Sequence, residues 1–261
     1  MSNINDTFIV KKQYENASNL NTRISIHEKY SVNTMGFGNW IFSNYRIEQG
    51  MKILELGCGT GDMWLHKEHE IAACSKLVLS DFSEGILLAA KSNLHMFNTV
   101  EYKVIDIQDI PFNDDEFDIV IANMMLYHVP NIYKGLNEVR RVLKKDGTFY
   151  CATYGEHGII EYLSKILYQY GVKDTINKNF TLQNGSEILE KVFDTATKLE
   201  YEDALAITNV DDMVEYIYSL SNMTTLNQIP KEKVRDKLLH NMVDGVLNVP
   251  KEYGMFISKK L

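Results

Sequence analysis

Apolar positions along the chain fall into short, nearly continuous runs separated by stretches with helix-like spacing. That alternation is expected of a parallel sheet covered by helices. Ile53–Leu56, Lys76–Asp81, Val100–Asp106, Phe117–Asn123 and Thr148–Thr153 read as successive strands. Between them Asp62–Ala73, Glu84–Asn93 and Tyr133–Leu143 read as helices, the last leading through Lys144-Lys145-Asp146-Gly147 into a turn. Further on, Ser186–Phe193 reads as another sheet-covering helix, Ala204–Thr208 as a sixth strand and Gly254–Lys260 as a last, antiparallel strand. Two helical insertions, at about 155–178 and 210–249, flank these late strands and could cap a cleft. Ahead of the first strand, Tyr14–Ala17 and Arg23–Tyr30 have helical spacing, and a break at Gly36-Phe37-Gly38 precedes a second short helix, Asn39–Tyr45. The expected organisation is an α/β main domain over 50–261 preceded by a helical segment over 1–49.

Composition narrows the function classes. A chain of 261 residues with 45% hydrophobic and 24% charged content suits one α/β domain with additions. Its formal charge of −8 argues against nucleic acid, whose phosphates call for a basic surface. Cys58, Cys74 and Cys151 show neither a CxxC pair nor metal-ligand spacing, so no metal is expected, and Cys58 and Cys151 read as buried thiols. The expectation is a cytoplasmic protein with no membrane association, because no apolar run follows Met1 and no stretch reaches membrane-spanning length.

The chemistry centres on Ile53-Leu54-Glu55-Leu56-Gly57-Cys58-Gly59-Thr60-Gly61-Asp62. A strand running into a glycine-rich turn at the carboxyl edge of a parallel sheet is where α/β proteins bind nucleotides. The spacing is G-x-G-x-G, with Asp62 where a dinucleotide fingerprint needs its third glycine, and no Gly-Lys-Ser/Thr ending makes it a P-loop. With Glu55 two places before Gly57, the motif resembles the first motif of class I S-adenosylmethionine (SAM) methyltransferases. Asp81 at the end of the second strand, Asp106 after the third, the Phe117–Asn123 strand and Glu138–Gly147 resemble the same family, of the small-molecule UbiE-like type, in the same order over about residues 50–153.

That resemblance implies a Rossmann-like, seven-stranded and mostly parallel sheet with helices on both faces and a helical cap. It also implies a cofactor site built from Glu55, Gly57, Cys58, Gly59, Asp81, Phe82, Asp106, Ile107 and Asn123. Asp81 would accept both ribose hydroxyls; its alternative role as a helix cap can fall to Ser83. Asp106, with Asp109 as the alternative, would accept from the adenine amino group, and Ile107 would cover the ring. Tyr14 and Arg23 of the N-terminal segment would fold over the cofactor, Arg23 toward its carboxylate, unless both lie on a solvated helix face.

Methyl transfer from SAM is an in-line displacement whose thioether leaving group needs no acid, so alignment and exclusion of water dominate. A base matters only for a protonated nucleophile. His128 is the first candidate, against a structural role at a helix end, and Tyr154 and His157 follow. Tyr14, Trp64 and Tyr127 are candidate aromatic neighbours of the sulfonium. The implied reaction is methylation of O or N on a small-molecule acceptor by a monomer or homodimer. A SAM-binding module without turnover is the alternative. An NAD(P)-dependent oxidoreductase is opposed by Asp62 and by the lack of an identifiable Tyr-x-x-x-Lys dyad.

Overall fold

A computed structural model describes residues 18–171, 176–220 and 226–261, with side chains from residue 22 onward. Seven strands form one sheet: β1 Lys52–Leu56, β2 Lys76–Asp81, β3 Val100–Val104, β4 Phe117–Ile121, β5 Leu143–Tyr154, β6 Thr195–Ile207 and β7 Leu247–Lys259. Their order is β3-β2-β1-β4-β5-β7-β6. The first five run parallel, and β7 lies antiparallel to both β5 and β6. This is the expected α/β architecture with its antiparallel last strand.

Side-chain alternation along the central strands splits the interior into two layers. Leu54, Val78, Val120 and Phe149 pack beneath the helix Ile132–Val142, whereas Ile53, Leu77, Ile119 and Tyr150 face the short helices Phe37–Ser43 and Glu68–Ala73 and the helix Glu84–Asn93. A third apolar cluster joins Leu205, Ile207, Leu247 and Val249, at one end of the β6/β7 pair, to four helices: Ser18–Tyr30, Ile159–Ile166, Val210–Ser219 and Lys231–His240. It is the cap. The helix Ser18–Tyr30 is tied to it by the Tyr30 hydroxyl, which donates to Asp212 Oδ2 at 2.6 Å.

Two expectations need correction. Asp62–Ala73 is not one helix: a 3-10 turn at Asp62–Trp64 is separated from Glu68–Ala73 by extended Leu65 and by His66 at φ 61°. The Trp64 indole is drawn into the core beneath β1, which fixes the turn and forces the chain to restart after Lys67. The late strands are also far longer than the apolar runs Ala204–Thr208 and Gly254–Lys260, since β6 and β7 pair continuously from Thr195↔Lys259 to Ile207↔Leu247. Strand β7 therefore begins inside the stretch expected to be a helical insertion up to residue 249.

Strand order reverses beside β1, whose neighbours are β2 and β4. A crevice opens at the carboxyl ends of the strands at such a point. Here it becomes a cavity of about 780 Å³, floored by the ends of β1, β2 and β4 and roofed by Ser18–Tyr30 and Phe37–Ser43.

Candidate active site

The glycine turn after β1 is held in a conformation that only glycine adopts readily: Gly57, Gly59 and Gly61 have φ of 72°, 57° and 80°. Each has a different second constraint. A Cβ on Gly61 would stand 2.9 Å from Leu94 Cδ1, so this residue lets the turn pack on the helix Glu84–Asn93 and its cap. A Cβ on Gly57 would meet Met125 Cγ at 3.0 Å, whereas one on Gly59 would meet nothing within 4 Å. Gly59 therefore leaves bare main chain facing the cavity that it lines.

Asp81 ends β2 beside this turn. Its Oδ2 accepts from the Gly59 N–H at 3.2 Å and its Oδ1 from the Ser83 N–H at 2.8 Å, so it braces the loop while lining the cavity. Burial raises its pKa, and the backbone N–H groups of Ser83, Gly59 and Phe82 oppose that rise. The carboxylate keeps acceptor capacity beyond these backbone donors, which a ribose hydroxyl would fill. Ser83 does cap the following helix, its Oγ accepting from Ile86 N–H at 3.5 Å. Phe82, Asp106 and Ile107 line the same end of the cavity, and Asp109 does not. Asp106 Oδ1 is steadied by the Gln108 N–H at 2.9 Å.

Glu55 and Cys58 line the floor beneath the glycine turn. Burial pushes Glu55 up to about 7, with Trp64 Nε1 donating to its Oε2 at 2.6 Å and nearby Asp81 adding to the rise. Burial also lifts the Cys58 thiol well above its ordinary range, and the neighbouring carboxylates Glu55 and Asp81 reinforce this, so it is a packing group and not a nucleophile. Cys151 and Cys74 are likewise raised, Cys74 to about 11. Trp64, expected beside the sulfonium, is instead fully buried and does not line the cavity.

At the end of β4 the chain turns sharply through Met124 at φ 52°, a conformation costly for a non-glycine residue and common at functional sites. Asn123, just before it, lines the cavity, yet its amide is engaged within the protein: Nδ2 donates to the Tyr45 hydroxyl at 2.6 Å, and Oδ1 accepts from Ala152 N–H at 3.2 Å. Arg23 and His128 both line the cavity, and Arg23 is close enough that its charge, after burial, helps push His128 down to about 4. Tyr127 and Tyr154 line it too, with ring centroids 4.6 Å apart. His157 does not: it is exposed and pairs with Glu161 at 3.5 Å. Tyr14 lies outside the described residues. No group of three or more His, Cys, Asp or Glu residues suited to a metal occurs among the described residues, and none of their helices is long and apolar enough to cross a membrane.

Several lining residues were not foreseen from sequence: His27, Phe37, Tyr216, Lys251 and Tyr253. One of them carried a readable signal. His27 stands four positions after Arg23 on the same helix, so the two share a face, and a role for Arg23 over the cleft entails one for His27.

Residues 54–151 match the family model described as "Methyltransferase domain". Over that stretch, a little over a third of its length, the chain is similar to methyltransferase domains. The matched stretch starts inside β1 and ends within β5, so it contains the glycine turn, Asp81, Asp106 and His128. Over 111 residues the chain is 31% identical to demethylmenaquinone methyltransferase of Staphylococcus aureus, covering 42% of this chain and 46% of that protein. Over 134 residues it is 30% identical to the ubiquinone/menaquinone biosynthesis C-methyltransferase UbiE of Idiomarina loihiensis, covering 47% and 53%. The matches thus span about half the length of these curated relatives. Among solved structures, phosphoethanolamine N-methyltransferase 2 of Haemonchus contortus, in complex with SAM, superposes with a TM-score of 0.61 at 18% identity, covering 100% of this chain and 60% of that one. At that identity the likeness concerns the fold alone.

Proposed function

We propose that the protein transfers a methyl group from SAM to a small-molecule acceptor by in-line displacement. The observation that carries this is the pairing of Asp81 with Gly59: a strand-end carboxylate beside bare main chain, both lining one cavity. Bound SAM supplies an electrophilic methyl group. Asp81 would hold the ribose, Asp106 and Ile107 with Phe82 the adenine, and Gly57 and Gly59 the methionyl part, with Arg23 at its carboxylate. The roof formed by Ser18–Tyr30 and Phe37–Ser43 keeps water from the reacting centre.

The acceptor atom is oxygen or nitrogen in this reading; the UbiE relative is named for carbon. His128, which lines the cavity, is the candidate to take a proton from a hydroxyl acceptor. Because it is neutral well below pH 7, it would accept a hydrogen bond from the acceptor without first losing a proton.

Calorimetric titration with SAM and S-adenosylhomocysteine (SAH), with NADH as control, tests the reading. The expected result is micromolar binding of both adenosyl ligands, about −8 kcal/mol, none of NADH, and collapse of binding in Asp81→Ala. Absence of adenosyl binding by the wild type would overturn the proposal. Binding without turnover across an acceptor library would reduce it to a SAM-binding module.

A further inference from the structure

The cavity does not end where the groups suited to an adenosyl ligand end. Asp81 and Asp106 follow β2 and β3, whereas Tyr253 stands on β7, four strand spacings from β2 and so about 19 Å across the sheet. This far end is walled by Tyr216, Tyr253 and Tyr154 and by Ile159, Ile160 and Leu220.

His27 projects into that wall. Its imidazole meets the rings of Tyr216 and Tyr253 edge-on, with centroid distances of 6.2 and 5.8 Å and interplanar angles of 80° and 78°. Its Nδ1 is sealed from solvent with no hydrogen-bond partner, which leaves Nε2 as the nitrogen that meets the cavity. The charged groups that act on it are Lys251 of β7 and Asp203 of β6. These two pair with each other inside the protein, and Lys251 Nζ donates further to Ser31 Oγ at 2.9 Å. Burial, and then Lys251, hold the imidazole down to about 3, so it offers a hydrogen bond and no charge at neutral pH.

We infer that this aromatic end is the acceptor pocket, and that His27 hydrogen-bonds the acceptor through Nε2 and selects an uncharged, ring-bearing molecule with a hydroxyl or carbonyl oxygen. The inference rests on the methyltransferase reading of the cavity. A ring of that kind fills a pocket walled by these aromatic and branched aliphatic side chains, and at this end of the cavity its oxygen meets the neutral imidazole of His27. An ionic group placed there would lose its hydration beside a Lys251–Asp203 pair that is already self-neutralised. Arg23, one helical turn before His27 and acting on His128 and Tyr216, is the cation that an anionic ring would seek instead.

Three probes of one ring size and three charges separate these cases: phenol, benzoate and benzylammonium. Each is titrated into the SAH-saturated full chain carrying ¹⁵N-histidine, with the His27 ring signals assigned from their loss in His27→Gln. Phenol should shift the His27 ring nitrogens and the two ions should not. Phenol binding should weaken about tenfold in His27→Phe and recover to within about threefold in His27→Gln, which restores a hydrogen-bonding group. A benzoate shift without a phenol shift, equal phenol binding in His27→Phe, or binding of none of the three would each overturn the inference. SAH binding measured on the same samples keeps the two levels apart. Loss of SAH binding in the wild type removes the methyltransferase reading itself, whereas intact SAH binding with phenol indifferent to His27 removes only the acceptor assignment.

Discussion

Asp203 on β6 and Lys251 on β7 are direct cross-strand partners, and their side chains pair in the interior with 0% and 1% of their surface exposed. The pair also anchors the roof of the cavity. Asp203 Oδ1 accepts from the Asn33 N–H at 3.0 Å, and Lys251 reaches Ser31, so the chain leaving the helix Ser18–Tyr30 is fastened to the sheet. Removing one member leaves an uncompensated buried charge, which costs about 3–5 kcal/mol, whereas replacing both by apolar residues of similar volume is far cheaper. Lys251→Met alone and Asp203→Leu alone should each lose stability of that order in urea unfolding, and the double variant should be more stable than either. Additive losses would show that the two residues act independently.

The same pair explains what the sequence concealed. Leu199, Tyr201, Leu205 and Ile207 alternate along β6, as do Leu247, Val249, Tyr253, Met255 and Ile257 along β7. In each strand the series is broken by a charge at the expected apolar position, Asp203 in one and Lys251 in the other. Each charge is tolerated only because its partner stands opposite, a relationship between strands that no local pattern carries. The parallel half of the fold was legible because β1, β2 and β4 are buried on both faces and its strands lead into residues with distinct chemistry: Gly57, Asp81, Asp106 and Asn123. The acceptor end was not, because His27, Tyr216 and Tyr253 are brought together from three separate elements of the cap and the sheet.

Gly59 and Gly61 should separate binding from folding. Gly61→Ala adds a methyl group 2.9 Å from Leu94 Cδ1 at φ 80°, a backbone and packing conflict of roughly 2–4 kcal/mol. Gly59→Ala has φ 57° and open space, so its stability cost should be only about 1–2 kcal/mol. Its methyl group would occupy the face offered to the cofactor, and SAH affinity should fall about ten- to hundredfold. Thermal unfolding and SAH calorimetry on both variants check this. If Gly59→Ala binds SAH like the wild type, the cofactor does not approach that main chain.

Glu55 gives a pH signature. Its folded pKa of about 7 lies above its ordinary value of 4.5, so between those limits the folded state holds the extra proton and stability declines as pH rises. Glu55→Gln keeps an oxygen for the Trp64 indole and has nothing to ionise. Its stability relative to the wild type should therefore climb from pH 4.5 to 7 by roughly 3 kcal/mol and level off above that. Denaturant unfolding at a series of pH values gives the difference directly, and a pH-independent difference would mean that Glu55 titrates normally.

The two cavity histidines act in the opposite sense. His27 and His128 are held to about 3 and about 4, below their ordinary 6.5, chiefly by burial. As pH falls below 6.5 the unfolded chain takes up protons that the folded chain refuses, so each histidine lowers stability by up to about 1.4 kcal/mol per pH unit until its folded pKa is reached. The Glu55 contribution runs against this between pH 4.5 and 6.5, which masks part of it in the wild type. Variants uncover it: Glu55→Gln should steepen the fall of stability on acidification, and Glu55→Gln combined with His27→Gln should flatten it again by roughly one proton's worth. Unfolding free energies measured between pH 4.5 and 7 for the wild type and these two variants decide the matter, since equal slopes in the two variants would mean that His27 is protonated alike in the folded and unfolded chains. The same measurement bears on the acceptor pocket, because a His27 that carries a charge near pH 6 could not serve as a neutral partner for an uncharged acceptor.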